Sequence, residues 1–254
     1  MSIAFKTNIL PEKTLIFLDE IQNCEKALTS LKYFYENAKE YHIIAAGSLL
    51  GVAINRKNYS FPVGKVETIT LNPMDFEEFL WALDNDTLMD FIRLCFEEKK
   101  PMGQVLHRKT MDYFRQYLII GGMPQAVKTY RNSHDFDQVD CVKRDILELY
   151  RADIIKHAEG YQMKVAQIFD AIPAQLQKHD TKFKFSSLKK EARFREYKDA
   201  LFWLSDAMIT NICYNSTAPN IGLKLNMHRM TLKCYMADTG LLISHAFDEN
   251  GLVS

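Results

Sequence analysis

Two adjacent carboxylates, Asp19 and Glu20, close the apolar run Thr14-Leu15-Ile16-Phe17-Leu18 and precede Ile21-Gln22. A continuous apolar run of this length, rich in β-formers, reads as a buried parallel strand. In open α/β sheets the ligand crevice lies at the carboxyl ends of the strands. Asp19 then stands where a phosphate-bound Mg²⁺ needs an acidic ligand, and Glu20 where an attacking water needs a base. The competing reading of the same residues is a strand followed by an acidic helix cap.

Phosphate chemistry of this kind also needs a glycine-rich loop, G-x-x-x-x-G-K-[ST], whose backbone N–H groups cradle the phosphates. The sequence has none. Its Gly64-Lys65 pair is followed by Val66 instead of a hydroxyl residue, and Tyr59 stands where the first glycine belongs. Thirteen residues precede Thr14. That is too few for a strand, a loop, a helix and a return connection, so the expectation is a chain that begins after such a loop.

Elements that must position the carboxylates are legible on either side. Thr14–Leu18, His42–Gly47 and Val66–Leu71 are strand-like, and between the first two Leu28, Leu31, Phe34 and Tyr35 recur at helical spacing within 25–40. Strand, helix, strand is the order of a βαβ unit. From Asn72 the pattern turns helical. A helix opens at Asp75 behind Asn72-Pro73, and further ones are expected over 87–98, 105–119 and 138–156. Gly121-Gly122-Met123-Pro124 breaks the pattern, with proline at a helix start. Beyond Gln162, the stripe Val165, Ile168, Phe169, Ile172 stops at Pro173. A short helix over 186–190 and a third striped by Tyr197, Leu201, Leu204 and Met208 follow. Two strand-like runs, Ile209–Tyr214 and Met230–Met236, are joined by a polar link. Three helices and a hairpin is the order of a winged helix.

The whole chain sets outer bounds. It has 254 residues, no net charge and 47% hydrophobic residues, which describes a folded protein without a global field for nucleic acid or membrane. Five cysteines without a C-x-x-C pair suit reduced, mostly buried thiols. No apolar run approaches the roughly 18 residues of a membrane helix, and no signal peptide is readable. A cytoplasmic location and no membrane partner are expected.

Leu15–Gln22 resembles the acidic strand motif of an AAA-type ATPase family of bacteria and archaea. Ala45–Gly51, Phe61–Val66, Pro73–Leu80, Gly121–Pro124 and Tyr235–Leu242 match the same family in order. The resemblance implies an α/β fold: a partial P-loop (AAA-type) parallel sheet over 1–71, a helical lid over 72–160, and a winged helix with the start of a C-terminal domain over 161–254. It also implies ATP and Mg²⁺, with Asp19 on the metal, Glu20 polarising water and Ser48 as the sensor of the terminal phosphate. Ser48 is equally readable as a turn residue after Gly47. Family members continue into a nuclease-like domain of unknown function, so the chain reads as truncated at both ends. Arg56 and Arg108 are the cations placed to act on a neighbouring subunit's nucleotide, although surface arginines mostly do nothing of the kind. Without the phosphate cradle, the chain alone is expected neither to bind nor to hydrolyse ATP, and a sheet lacking its first strand is expected to self-associate.

A second constellation lies over 178–198. Lys189, Lys190, Arg193, Arg195 and Lys198 are interleaved with Phe185, Phe194 and Tyr197. Leading into the third helix of a winged helix, they form a candidate phosphate-backbone surface for DNA. The alternatives are a solvated face over core aromatics, or a protein-contact module. Asp153 and His157, four apart on a helix, suit a surface pair or two metal ligands with no third. Phe202-Trp203 is expected in the core.

Overall fold

The computed structural model describes residues 8–52, 64–178, 182–218 and 221–247. Arg56, Tyr59 and Phe61–Val63 lie outside them. The chain divides into two compact units, Met1–Leu71 with Ser205–Met208, and Asn72–Leu204 with Ile209–Ser254. It is mostly helical, with two small two-stranded sheets among the described residues.

In the first unit, β1 (Leu15–Leu18) pairs in parallel with β2 (His42–Ala45), in register Leu15↔His42 to Leu18↔Ala45. Helix α1 (Glu25–Asn37) makes the crossover and buries Leu28. Alternation decides which side of the sheet is covered. Ile16, Leu18, Ile43 and Ala45 are half-buried, whereas Leu15, Phe17 and Ile44 are exposed. The third expected strand, Val66–Leu71, does not form. Those residues have no regular structure, with Ile69 and Leu71 85% and 87% exposed. β-Propensity expresses itself only against a partner strand or a packed face, and the segment has none among the described residues.

The second unit begins with α2 (Phe76–Ala82). Asp75 accepts from the Glu78 backbone N–H at 2.9 Å while the Glu78 carboxylate accepts from the Asp75 N–H at 2.9 Å. This capping box satisfies two orphan donors of the first turn. Helices α3 (Asp86–Glu97), α4 (Gln104–Ile120), α5 (Pro124–Ser133) and α6 (Phe136–His157) follow. Phe79, Ile120, Ala126, Val127, Tyr130 and Val139 pack into one cluster. Pro124 opens α5, where a missing N–H costs nothing.

Helix α7 (Gln162–Gln177) corrects an expectation, because it runs through Pro173 instead of stopping there. Proline at 173 removes the bond that the Phe169 carbonyl would accept. That carbonyl is instead met by Nε2 of His245 at 3.0 Å, and a carbonyl only accepts, so Nε2 carries the proton. The imidazole also stacks on the Phe169 ring, centroids 4.5 Å apart. A side chain of α9 (Thr239–Ala246) thus repairs the helix.

Between α7 and α9 lie a single 3₁₀ turn at Phe185–Ser187, shorter than the expected helix, then α8 (Phe194–Asp206) and the antiparallel pair β3 (Thr210–Ser216) and β4 (Met227–Met236). The Phe183 N–H donates to the Leu232 carbonyl at 2.7 Å, against β4. Phe183, Phe185, Tyr197, Leu201, Trp203 and Leu204 are buried. Phe202 is not in the core as expected; it lies 38% exposed on the outer face of α8. The cysteines also depart from expectation. All five are free thiols, but only Cys234 is buried, its thiol pushed up to about 12 by burial.

Candidate functional site

Asp19 and Glu20 follow β1 directly and Ser48 follows β2, so all three lie past the carboxyl ends of adjacent parallel strands, exposed to solvent. The Ile21 N–H donates to the Ala46 carbonyl at 3.0 Å and the Ala46 N–H to the Leu18 carbonyl at 2.9 Å. These bonds extend the strand pairing into the loops and hold the two acidic and hydroxyl residues on one rim. The Asp19 carboxylate accepts from the Glu20 N–H at 3.0 Å. Glu20 sits in the left-handed region, φ 50°, a conformation costly enough for a non-glycine residue to need support.

Gln22 supplies that support, a role the sequence reading missed. Its Nε2 donates to the Glu20 carboxylate at 2.5 Å. Its amide oxygen lies over Gly47, where any Cβ would come within 2.0 Å of it. A side chain at 47 would displace the Gln22 amide from this position. The only signal in the sequence was an amide two residues beyond the carboxylate; the left-handed Glu20 and the 3₁₀ turn Ile21–Asn23 that bring the two together were not legible there.

A group of three or more metal-ligating side chains is not found among the described residues. Mg²⁺ does not need one, since it commonly takes one or two carboxylates with phosphate oxygens and water. Gly64-Lys65 offers no cradle. The Lys65 ammonium pairs with Glu36 at 3.4 Å and lies 4.9 Å from the Tyr35 ring centroid. Arg108 is exposed on α4, and Arg56 is outside the described residues. Asp153 and His157 share α6 without a hydrogen bond or ion pair between them.

Lys189, Lys190, Arg193, Arg195 and Lys198 are all exposed, and none forms an ion pair among the described residues. Arg195 and Lys198 are three apart on α8, so they share its outward face with Phe202. Of the neighbouring aromatics Phe185 and Tyr197 are core and Phe194 is half-buried: Phe185 packs on Tyr197, centroids 6.0 Å apart, and on Phe194 at 5.7 Å. They offer no stacking platform.

The segments Gly121–Pro124 and Tyr235–Leu242 meet at a buried junction. Asp238 accepts from the Gly122 N–H at 2.5 Å and from the Leu241 N–H at 2.8 Å, capping α9. Gly121 ends α4 at φ 83°, and a Cβ there would lie 2.2 Å from the Asp238 carboxylate. Met74 N–H donates to the Gly122 carbonyl at 2.7 Å, and the Tyr117 hydroxyl to the Met74 carbonyl at 3.0 Å. Burial holds the Asp238 carboxyl above its ordinary value, against its backbone donors and Lys143.

Lys143 went unnoticed in the sequence, although its spacing between Val139 and Leu147 placed it on the buried stripe of α6. Its ammonium donates to the Ile119 carbonyl at 2.9 Å and lies 3.8 Å from Asp140. Burial pulls its pKa down, opposed by Asp140 and Asp238. Burial pushes Asp140 up, but the Ser244 hydroxyl (2.5 Å), Arg144 (2.7 Å) and Lys143 together outweigh it, and the carboxyl lies below its ordinary value. Bonded in this way, the junction ties α4, α6 and α9 together.

Two known families match the chain. Residues 2–80 match an AAA domain, and residues 111–250 match a domain of unknown function, DUF8612. No curated protein and no solved structure matches it. Among the described residues no helix is long and apolar enough to cross a membrane.

Proposed function

For a chain that belongs to the DUF8612 family through residues 111–250, we propose that the N-terminal unit is the acidic half of an AAA-type nucleotide site. The observation that carries this reading is the placement of Asp19, Glu20 and Ser48 past the carboxyl ends of two parallel strands. The AAA match over residues 2–80 supports it. Asp19 would hold Mg²⁺, which when bound neutralises charge on the phosphates. Glu20 orients water, and Ser48 faces the terminal phosphate. Gln22 restrains the Glu20 carboxylate at 2.5 Å.

Phosphoryl transfer depends on positioning and on preorganised charge. The backbone cradle and its lysine are missing from the sequence, and losing them removes tight binding, not merely rate. Titration with a fluorescent ATP analogue and Mg²⁺ is expected to show no saturable binding at micromolar concentration. Micromolar, Mg²⁺-dependent binding lost in Asp19→Ala would overturn this.

A second reading concerns the C-terminal part as a winged helix that binds duplex DNA. Supporting it are the order α7, 3₁₀ turn, α8, β3, β4, the Phe183–Leu232 bond that adds a third chain segment to the hairpin, and the five exposed cations at and before α8. Between Lys182 and Lys233 there are ten Lys and Arg against four Asp and Glu in a chain of zero net charge. Backbone binding must then weaken steeply with salt, the slope falling by about 0.9 for each phosphate contact removed. Lys189→Glu with Lys190→Glu is expected to flatten that slope. Binding indifferent to both salt and charge reversal favours a protein partner instead.

A further inference from the structure

The end of the β3–β4 hairpin exposes apolar side chains where a soluble turn ordinarily carries polar ones. Ile221 is 104% and Leu225 88% exposed, and Leu223 and Met230 are more than half exposed. Gly222, at φ 90°, turns the chain into a 3₁₀ segment, Leu223–Asn226, that holds these residues outward. Thr217 N–H donates to the Asn226 carbonyl at 3.1 Å and closes the loop behind them.

The pairing changes register here. Tyr214 faces Leu232, but the next residue, Asn215, faces His228. Arg229, Met230 and Thr231 are therefore extra to the ladder. Bulges of this kind bend a strand and re-aim its side chains, and Arg229 and Met230 are both exposed. His228 Nδ1 and the Thr231 hydroxyl are hydrogen-bonded at 2.7 Å across the bulge.

Charge says what this apolar tip faces. No Asp or Glu occurs between Asp206 and Asp238, while Lys224, Arg229 and Lys233 lie in that interval. Lys224 and Arg229 are exposed and in no ion pair among the described residues. Four exposed Ile, Leu and Met side chains on an acid-free, cationic hairpin match the apolar wedges that enter the minor groove, unstack a base step and bend the duplex. A cationic surround without acids suits a polyanion.

Resting on the winged-helix reading above, we infer that the hairpin tip is a minor-groove wedge: Ile221 and Leu225 insert at a base step while Lys224 and Arg229 hold the flanking phosphates. The tip works with the cations of α8 on the same duplex. It supplies bending, where they supply non-specific attraction.

The test uses the full chain and a duplex of about 30 bp carrying donor and acceptor dyes at its ends, with affinity from anisotropy and bend from energy transfer. Ile221→Ser with Leu225→Ser alters only exposed side chains. It is expected to lose the bend and about tenfold in affinity while keeping the wild-type salt slope. Lys189→Glu with Lys190→Glu should do the converse, flattening the slope and leaving the bend of the bound duplex intact. A serine variant that binds and bends like wild type overturns the wedge but leaves DNA binding standing. Wild-type binding without bending also overturns it. If the wild-type chain does not bind duplex at low salt, both readings fall.

Discussion

Asp238→Ala is expected to destabilise the second unit by about 3–5 kcal/mol, the cost of removing one partner from a buried charged arrangement. Three losses coincide. The Gly122 and Leu241 N–H groups lose their acceptor, and an unpaired buried donor costs on the order of 1–3 kcal/mol. The Leu241 bond is itself the cap of α9. Lys143, almost fully buried, keeps only Asp140 at 3.8 Å as a carboxylate neighbour. Both tryptophans, Trp81 and Trp203, belong to this unit, so urea unfolding followed by their fluorescence reads it directly. A loss below about 1 kcal/mol, ordinary for a surface change, would show that the junction is not what holds α9.

The isosteric change separates hydrogen bonding from charge. Gly122 and Leu241 bond different oxygens of the carboxylate, so Asp238→Asn keeps an acceptor for one of them and should cost less than Asp238→Ala without being neutral. Burial raises the folded pKa of Asp238 above 3.8, so ionising it costs the fold. The associated stability is fully present below the unfolded value and lost as pH rises through the folded one. Relative to wild type, Asp238→Asn should therefore gain ground as pH rises through the window above 3.8. Asp140 acts in the opposite sense in both proteins. Its lowered pKa contributes stability above 3.8 that is lost as pH falls through the folded value. A constant difference between the two proteins across that window would contradict the assignment for Asp238.

Gly122→Ala is expected to cost about 3 kcal/mol, at the upper end of overpacking. A Cβ at 122 would come within 2.0 Å of the Met74 carbonyl oxygen and 2.7 Å of its nitrogen. Both are backbone atoms and have no rotamer to move to. Relief requires separating the start of α2 from the turn after α4, which breaks the Met74–Gly122 bond and strains the Tyr117 hydroxyl contact. Because Gly122 also donates to Asp238, the two substitutions share a partner and should not add. The double variant should lose less than the sum of the single ones. Full additivity in the same urea experiment would mean that the two contacts act independently.

Local signals made much of this fold readable. Asp75 and Glu78 lie three apart and form the capping box, Pro124 opens α5, and the apolar run ending at Asp19 is β1. Each is fixed within a turn or a strand, where neighbours in sequence are neighbours in space. The likeness to AAA domains was legible for the same reason, since its acidic motif is a contiguous run at a strand end.

Tertiary structure decided what local signals left open or led astray. Val66–Leu71 has strand composition but no partner among the described residues, and remains irregular. Pro173 reads as a helix stop, but His245 satisfies the carbonyl it orphans, 76 residues away. The two glycine-bearing segments, marked only as familiar, proved to be the halves of one junction joined by the Asp238–Gly122 bond across 116 residues. Exposure was equally unreadable, since Phe202 and Trp203 are adjacent and only Trp203 is buried. A residue's own chemistry sets what it is able to bond. Which distant backbone group is left without a partner, and which face of an element is left uncovered, is settled only when the chain has closed on itself.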